Sequence, residues 1–339
     1  MTISYRWLSE YLPISISVEK LSTILTSIGL EVESIETFEN FKGGLKGLVV
    51  GEVLEVTQHP NADKLKLTKV AIGASEVLSI VCGASNVATG QKVIVAPVGT
   101  TIYPHGKEPI TMKLAKIRGE ESYGMICAED EIGLSDDHGG IIVLDTQTKV
   151  GTPASEIYSY YQDWIYEIGL TPNRMDAMSH YGVAKDVCAY LTYHEQKVAP
   201  INIFNETIQV DPTVAPYQVS IEDSKGCARY AGVVIDGVTV QASPEWLQQK
   251  LQAIGLRSIN NIVDITNFIL HETGQPLHAF DADQIVDQKI VVKTYPKDTP
   301  FITLDGTERK LNSTDLMISD TQKPLCIAGV YGGLHSGCL

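Results

Sequence analysis

Five short β-rich runs follow one another between Leu48 and Gly119, and they constrain the fold more than any other feature of the chain. The runs read LVVGEVLEV, LKLTKVAI, VLSIVCGA, KVIVAPVG and ITMKLAKIRG, and Gly, Pro, Asn or Asp residues typical of turns bound them. Short runs of this kind are typical of a small antiparallel barrel. We therefore predict a barrel of about five strands between residues 45 and 120.

Helical spacing flanks this segment on both sides. Apolar residues recur at helical intervals over residues 18–28, with Ser17 placed as the N-cap and Gly29 as the stop. A second helix is predicted around residues 183–191. The alternation of helix-like and strand-like segments over 339 residues indicates a protein of two to four domains.

The C-terminal third also mixes strands and helices. The run RYAGVVIDGVTV, residues 229–240, predicts a strand pair. A third helix is predicted after it, with Ser243 as the N-cap, Pro244 as the first helical residue and Gly255 as the stop.

The net charge of −15 runs against nucleic-acid binding, which draws most of its affinity from Lys and Arg. The charge is not uniform, because ten basic and ten acidic residues between positions 40 and 134 cancel. Two groups of basic residues stand out in this segment: Lys64, Lys66 and Lys69, and Lys113, Lys116 and Arg118. They form either an RNA-binding surface or two ordinary solvated strand faces, and charge alone favours the second interpretation.

Several classes of protein are excluded by what the sequence lacks. The six cysteines are scattered without CxxC or finger spacing, which argues against a zinc site and against a disulfide framework. The sequence has no signal peptide and no apolar run long enough to span a membrane, so we expect a cytoplasmic protein. Phosphate-binding loops, GxGxxG, GxSxG and metal-binding His motifs are also absent.

Three strings in the barrel segment carry a family resemblance: HPNADKLKLTKV, VCGASNV and IRGEESYGMICAEDEIGL. Together they resemble the OB-fold tRNA-binding module shared by several tRNA synthetases and free-standing tRNA-binding proteins. The resemblance implies that tRNA contacts a set of polar residues on this module: Asn61, Lys64, Lys66, Asn86, Lys113, Lys116, Arg118 and Ser122. For His59-Pro60-Asn61 by itself, a plain turn is an equally good interpretation.

The segment GLTPNRMDAMSHYGVAKDVCAYL resembles the first domain of bacterial phenylalanine–tRNA ligase beta chains, in which the OB module is inserted. The implied fold is multi-domain α+β, with a split α/β domain at 1–39 and 151–195 around an OB-fold barrel at 40–150. A linker would occupy residues 196–216. Asn173, Arg174 and Asp176 form either a surface site or a cap with an internal ion pair.

The string RSINNIVDITNFILHETGQPLHAFDADQI, with CARYAGVVIDGV and SPEWLQQKLQAIGL before it, resembles the editing domain of the same beta chains, of B3/B4 type. This mixed α+β domain would occupy residues 217–339 and be truncated at its C-terminus. The resemblance implies a hydrolytic site at Arg257, Thr266 and His278, with Gly332 and Gly333 lining the pocket. His278 alone would be read as a satisfied core histidine.

The residue types suit ester hydrolysis. His278 could orient or deprotonate water, Thr266 supplies a hydroxyl, and Arg257 supplies a fixed donor. A glutamate that reads the tyrosine hydroxyl in the family would fall beyond Leu339, so the pocket is expected to be incomplete here. A second, hydrolytic site is useful because tyrosine differs from phenylalanine by one hydroxyl, which a hydrophobic activation pocket rejects only weakly.

The function implied is that of a phenylalanine–tRNA ligase beta chain. It would support ATP-dependent charging of tRNA(Phe) by an alpha subunit in an α2β2 heterotetramer, bind tRNA, and hydrolyse mischarged tyrosyl-tRNA(Phe). ATP and Mg²⁺ are expected for the full enzyme, with no cofactor or metal bound by this segment. The alternatives are a stand-alone OB-fold tRNA-binding protein or chaperone, against which GQPLHAFD argues, and a free-standing editing hydrolase.

Overall fold

The computed structural model describes residues 1–73, 76–104, 106–135, 139–195, 200–201, 210–211, 213, 217–334 and 337. Most of the predicted linker at 196–216 lies outside the described residues. The chain forms two compact units, one of residues 37–163 and one of residues 1–36 with 164–339. Both contain helices and strands, which confirms a mixed α+β architecture.

The helices, in chain order, are α1 Tyr5–Ser9, α2 Val18–Ser27, α3 Ala154–Ile157, α4 His180–Glu195, α5 Glu245–Ala253 and α6 Asn261–Thr273. Short 3-10 turns lie at Lys42–Leu45, Asp130–Ile132, Met175–Ala177, Ala282–Gln284 and Val286–Gln288.

The strands of residues 1–161, in chain order, are β1 Thr2–Ser4, β2 Glu31–Glu39, β3 Val49–Gln58, β4 Lys66–Ala71, β5 Val77–Cys82, β6 Lys92–Pro97, β7 Thr101–Ile102, β8 Ile110–Thr111, β9 Ala115–Ile117, β10 Glu120–Ser122, β11 Gly124–Ile126 and β12 Val143–Leu144. They are followed by β13 Gln162–Gly169, β14 Gln218–Ile221, β15 Lys289–Thr294, β16 Pro300–Ile302, β17 Glu308–Lys310, β18 Leu316–Ser319, β19 Pro324–Ile327 and β20 Tyr331–Gly332.

Residues 37–163 are built around one strongly curved sheet. Its strand order is β11-β6-β3-β4-β5, with β12 paired to the other part of β6. The two ends of this sheet meet, because Tyr123 donates its N–H to the carbonyl of Ser79 at 2.9 Å and Val81 donates to Ser122 Oγ at 3.1 Å. The sheet is therefore a nearly closed barrel.

Strand β6 explains the uninterrupted apolar run KVIVAP. Val93 and Val95 belong to one buried cluster of the barrel unit, and Ile94 and Ala96 belong to the other. Successive side chains of a strand point to opposite faces, so a strand covered on both faces shows no polar alternation.

The last predicted barrel strand, ITMKLAKIRG, was wrong as a single element. The chain forms β8, which pairs with β7, and then β9, which pairs with β10. Arg118 and Gly119 have φ of 53° and 107°, which makes the tight two-residue turn between β9 and β10. One apolar run thus serves two hairpins, because its two halves find different partner strands.

The second unit begins with a small helix-and-sheet core. Strands β1, β13 and β2 form a three-stranded sheet, against which α1, α2 and α4 pack. Helix α2 starts as predicted, because Ser17 Oγ accepts the N–H of Lys20, and Gly29 follows its end with φ of 85°. Helix α4 confirms the second predicted helix.

Trp7 of α1 is the centre of this core. It is fully buried, with its ring stacked on His180 at 4.1 Å and on Phe268 of α6 at 4.8 Å between ring centroids. Its indole Nε1 donates to Tyr11 Oη at 2.7 Å, and Tyr11 Oη donates to Glu272 Oε1 at 2.6 Å. Helices α1, α4 and α6 are thus held by one aromatic stack.

A second sheet has the order β14-β15-β18-β19-β20, and all its strands except β14 follow α6 along the chain. Strands β14 and β15 are parallel, and the remaining pairs are antiparallel. The small hairpin β16–β17 lies beside it, since Thr303 forms a bridge with Gly333.

Two predictions for residues 229–255 were wrong. Residues 230–240 form no strand, and Val233 and Ile235 remain about three-quarters exposed, because no described strand pairs with this stretch. Ser243 does not cap α5, whose N-cap is Pro244. Its hydroxyl donates instead to the buried carboxylate of Asp264, at 2.5 Å from Oδ2, and so does not bond to the N–H groups at the start of α5.

The burial of His180 leads us to expect that the free energy of unfolding falls in acid. Burial lowers its pKa to about 3 from the ordinary 6.5, so the unfolded chain takes up the proton first on acidification. The stabilisation is complete above pH 6.5 and should fall by about 1.4 kcal/mol per pH unit between these two pKa values. The free energy of unfolding, measured in urea on both sides of pH 6.5, should show this slope.

The matched variant is His180→Gln, which keeps a donor and an acceptor but does not titrate. The wild-type ring accepts the N–H of Ser4 at Nε2 and bonds the carbonyl of His271 through Nδ1. The variant should be less stable at neutral pH and should lose the acid slope. An identical slope in both proteins would contradict the assignment to His180.

Candidate functional site

His278 lies in the loop after α6, next to the turn that joins β19 to β20. Its ring approaches Cys326 Sγ, which is 3.5 Å from Nδ1 and 3.7 Å from Nε2. The backbone N–H of Gly329 donates to Nε2 at 3.3 Å. Partial burial of the ring lowers the pKa of His278, which favours the neutral imidazole.

Thr266 and Arg257 lie on or beside α6. Thr266 Oγ1 donates to the carbonyl of Val263 at 2.7 Å, one turn earlier in the same helix. Arg257 is exposed in the turn between α5 and α6. Across the described ranges, no hydrogen bond or ion pair joins either side chain to His278. The structure thus gathers His278 with β19 and β20, and leaves the other two predicted catalytic residues on the α5–α6 side.

Asp264 is the residue near Arg257 that the sequence interpretation missed. It is fully buried and accepts hydrogen bonds from the hydroxyls of Ser243 and Ser258 and from the N–H of Ile259 at 2.9 Å. It lies in the first turn of α6, where the helix dipole favours a carboxylate. Asp264 therefore fixes the turn that carries Arg257.

Part of this arrangement was readable from the string NNIVDITN. Asn260 caps α6 by accepting the N–H groups of Ile262 and Val263, and an acidic residue in the first helical turn is a common start signal. The Ser243 partner was not readable, because Ser243 is 21 residues away from Asp264 along the chain.

Gly332 and Gly333 follow the β19–β20 turn, and their packing differs. A Cβ on Gly333 would lie 2.7 Å from the carbonyl oxygen of Leu325 and 3.0 Å from the Phe301 ring. A Cβ on Gly332 would meet only the side chain of Leu304, which is about half exposed. Backbone packing is thus sufficient reason for glycine at position 333, whereas position 332 has room to adjust.

This difference predicts unequal costs for two matched substitutions. Gly333→Ala should lower the free energy of unfolding by about 1–3 kcal/mol, since the new methyl would overpack against a fixed carbonyl. Gly332→Ala should cost less, because the Leu304 side chain can turn aside. Urea denaturation of both variants measures the difference, and equal losses would show that Gly333 is not confined as described.

Three of the eight predicted tRNA-binding residues each make two side-chain hydrogen bonds with the backbone of the barrel unit. Lys66 Nζ donates to the carbonyls of Ser85 and Val87, both at 3.1 Å. Asn86 exchanges two hydrogen bonds of 3.0 Å with the backbone of Ile141. Ser122 Oγ, which is buried, accepts the N–H of Val81 and donates to the carbonyl of Gly124.

The other five predicted residues are exposed: Asn61, Lys64, Lys113, Lys116 and Arg118. Four of them lie on two neighbouring segments, because Asn61 Nδ2 donates to the carbonyl of Arg118 at 3.2 Å. His59 is buried and fastens the same turn to the β9–β10 hairpin through the carbonyl of Ile117. The HPN string is therefore a turn held against the β9–β10 hairpin, which carries Lys116 and Arg118.

The groove beside this hairpin is acidic, not basic. Among its lining residues are Glu55, Glu120 and Glu121, and Lys69 is the one cation there. Lys69 Nζ donates to Ser79 Oγ at 2.6 Å. The three carboxylates of this groove would repel a phosphate backbone.

Arg174 shows which interpretation of the PNRMD string holds. Its guanidinium forms ion pairs with Asp176 at 3.1 Å and with Asp186 of α4. The described geometry is thus an internal ion pair next to the start of α4.

Across the described ranges, no helix is long and apolar enough to cross a membrane. The same residues contain no group of three or more His, Cys, Asp or Glu side chains that could hold a metal ion. The described cysteines Cys82, Cys127, Cys188, Cys227 and Cys326 are free thiols.

Two family models match the chain. Residues 48–153 match the family described as "Putative tRNA binding domain", and residues 226–339 match the B3/4 domain.

Curated relatives match along 99% of the chain. Proteins named "Phenylalanine--tRNA ligase beta subunit" from Bacteroides fragilis and Porphyromonas gingivalis are each 52% identical to it, and that from Salinibacter ruber is 46% identical. The chain spans about 41% of the length of these relatives.

Proposed function

This chain belongs to the phenylalanine–tRNA ligase beta-subunit family, and we propose on that basis that it binds tRNA(Phe) and hydrolyses tyrosine mischarged onto it. Identity of 52% over nearly the whole chain carries the proposal. Its assembly partner would be an alpha subunit that charges tRNA(Phe) with phenylalanine, in an α2β2 heterotetramer in the cytoplasm.

The barrel unit would be the tRNA-binding part, with an OB fold. The nearly closed sheet of residues 37–163 supports this topology, and the matched family model supports the ligand. The exposed residues Lys113, Lys116 and Arg118 would contact phosphates, while Lys66, Asn86 and Ser122 would shape the surface from below. Asn61 and Lys64 would extend the contact along the adjoining turn.

The triple variant Lys113→Gln, Lys116→Gln, Arg118→Gln tests this surface. If each cation contacts one phosphate, the slope of log affinity against log salt should become shallower by about 2, and tRNA affinity should fall at least about tenfold. Fluorescence anisotropy with labelled tRNA(Phe) over a salt series gives both quantities.

The control is Lys225→Gln, Lys297→Gln, Lys310→Gln, which removes the same three charges from exposed positions outside the barrel unit. This control should keep the wild-type slope. Equal changes in both triple variants would show that overall charge, and no defined surface, governs binding.

The editing site would be formed by residues of the B3/4 region. His278 would act next to the β19–β20 turn, with Gly332 on the pocket wall, and Arg257 and Thr266 would contact the substrate from the α5–α6 side. Gly333 would support the wall by its packing. A separate hydrolytic site is useful because an apolar activation pocket discriminates only weakly against a substrate with one added hydroxyl.

ATP and Mg²⁺ would serve aminoacylation by the complete enzyme.

Ester hydrolysis tests the editing proposal. The 339-residue chain, and a version extended to the length of its relatives, should be incubated with tyrosyl-tRNA(Phe) and phenylalanyl-tRNA(Phe). Selective loss of the tyrosyl ester is expected, and His278→Ala should slow it roughly a hundredfold.

His194→Ala, an exposed histidine of α4, is the matched control and should leave hydrolysis unchanged. Hydrolysis of both esters at equal rates, or full activity in His278→Ala, would overturn the editing proposal.

A further inference from the structure

Cys326 lies in β19, beside two residues of the proposed editing site, His278 and Gly332. It is fully buried, its backbone pairs with Gly332 of β20, and its thiol reaches the His278 ring. The sulfur is nearly equidistant from Nδ1 and Nε2, at 3.5 and 3.7 Å. A sulfur at these distances cannot lie in the ring plane without colliding with a ring carbon, so it packs against the face of the imidazole.

The hydrogen bonds around the ring define its tautomer. The Gly329 N–H donates to Nε2 at 3.3 Å, and a ring nitrogen that accepts a hydrogen bond carries no hydrogen in the neutral form. The hydrogen of the neutral ring is therefore on Nδ1. This N–H lies in the ring plane, whereas the sulfur lies over the ring face, so the thiol does not consume it.

The thiol itself is held by the backbone. Cys326 Sγ donates to the carbonyl of Ile327 at 3.2 Å, and the turn that follows places Gly329 at φ of 70°. The sulfur, the Gly329 amide and Gly332 thus belong to one short segment of about seven residues. A shift of the turn would move the ring support and the pocket wall together.

We propose that Cys326 is a positioning residue for His278: its sulfur and the Gly329 amide together hold the imidazole as the Nδ1–H tautomer, ready to donate to a substrate oxygen. This rests on the proposed editing function for its biological meaning. In this arrangement His278 contributes a hydrogen bond to the ester and does not remove a proton from water through Nε2, whose lone pair is occupied.

The chemistry of the thiol suits this task. Burial raises the pKa of Cys326 to about 12, so the group stays a neutral thiol at physiological pH. A neutral, polarisable sulfur can support an aromatic face without demanding a second hydrogen bond, which a hydroxyl in the same place would do.

The tautomer can be measured without any activity assay. In the chain labelled with ¹³C and ¹⁵N at histidine, the His278 ring shifts should identify the Nδ1–H form in wild type. In Cys326→Ala the ring should sample both tautomers or a second orientation. An Nε2–H ring in wild type, or unchanged ring shifts in Cys326→Ala, would overturn the proposal.

The effect of Cys326 on catalysis is then measured as hydrolysis of tyrosyl-tRNA(Phe), with the 339-residue chain or the extended chain, whichever shows editing activity. Cys326→Ala should lower kcat roughly tenfold with KM within about twofold, because the ring is misplaced while the substrate contacts remain. Cys326→Ser should recover part of that loss, since its hydroxyl can still donate to the Ile327 carbonyl.

The matched control is Val292→Ala in β15, a fully buried residue of the same core two strands from β19. It should lower stability with kcat unchanged. An equal fall of kcat in Val292→Ala would show that general loosening of the sheet, and no positioning by Cys326, is responsible. If His278→Ala leaves hydrolysis unchanged while the ring shifts behave as expected, the editing role fails and the positioning stands.

Discussion

The stack of His180, Trp7 and Phe268 is the interaction on which the second unit depends. It joins α1, near the start of the chain, to α4 and to α6, which lies more than 250 residues later. A buried Trp replaced by alanine commonly costs about 3–5 kcal/mol, which is a large share of the stability of a typical domain. The sequence regions compared with two different domains of the family therefore share one core.

Lys250 of α5 places a positive charge against the aromatic rings of this core. Its ammonium is 2.6 Å from Glu10 Oε2 and lies within 5.6 Å of the ring centres of Trp7, Trp246 and Phe268. The ion pair satisfies the charge, and the rings lower the cost of removing it from water. The same cation also lowers the pKa of nearby His180, adding to the larger effect of burial, so the histidine stays neutral where it stacks.

In the barrel unit, lysines that look equivalent in the sequence have different structural roles. Lys66 and Lys64 are two positions apart, yet Lys66 ties down the 85–87 loop while Lys64 faces solvent. Net neutrality of residues 40–134 therefore hides an acidic groove, while Lys64, Lys116 and Arg118 are exposed. A residue count shows the balance of charge, and only the fold shows where each charge goes.

The sequence predicted what depends on near neighbours. The caps of α2, the barrel strands and helix α4 follow from local spacing and turn residues. The failures have different causes: Ser243 bonds to the distant Asp264, the 230–240 run has no described strand to pair with, and the ITMKLAKIRG run divides between two local hairpins. The contact of His278 with Cys326 spans 48 residues, and no local pattern encodes it.

The Lys250 side chain has a consequence for how this unit opens. Because the Lys250 side chain connects α5 to Glu10 and Trp7, and Tyr11 bonds to Glu272 of α6, detaching the N-terminal helix would remove the carboxylate partner of Lys250 and the ring that stacks on Phe268. Fraying that begins at the first residues therefore spreads to α5 and α6. The first helix and helices α5 and α6 are therefore expected to open in one cooperative event, and their backbone amides, more than 230 residues apart, to exchange with solvent together.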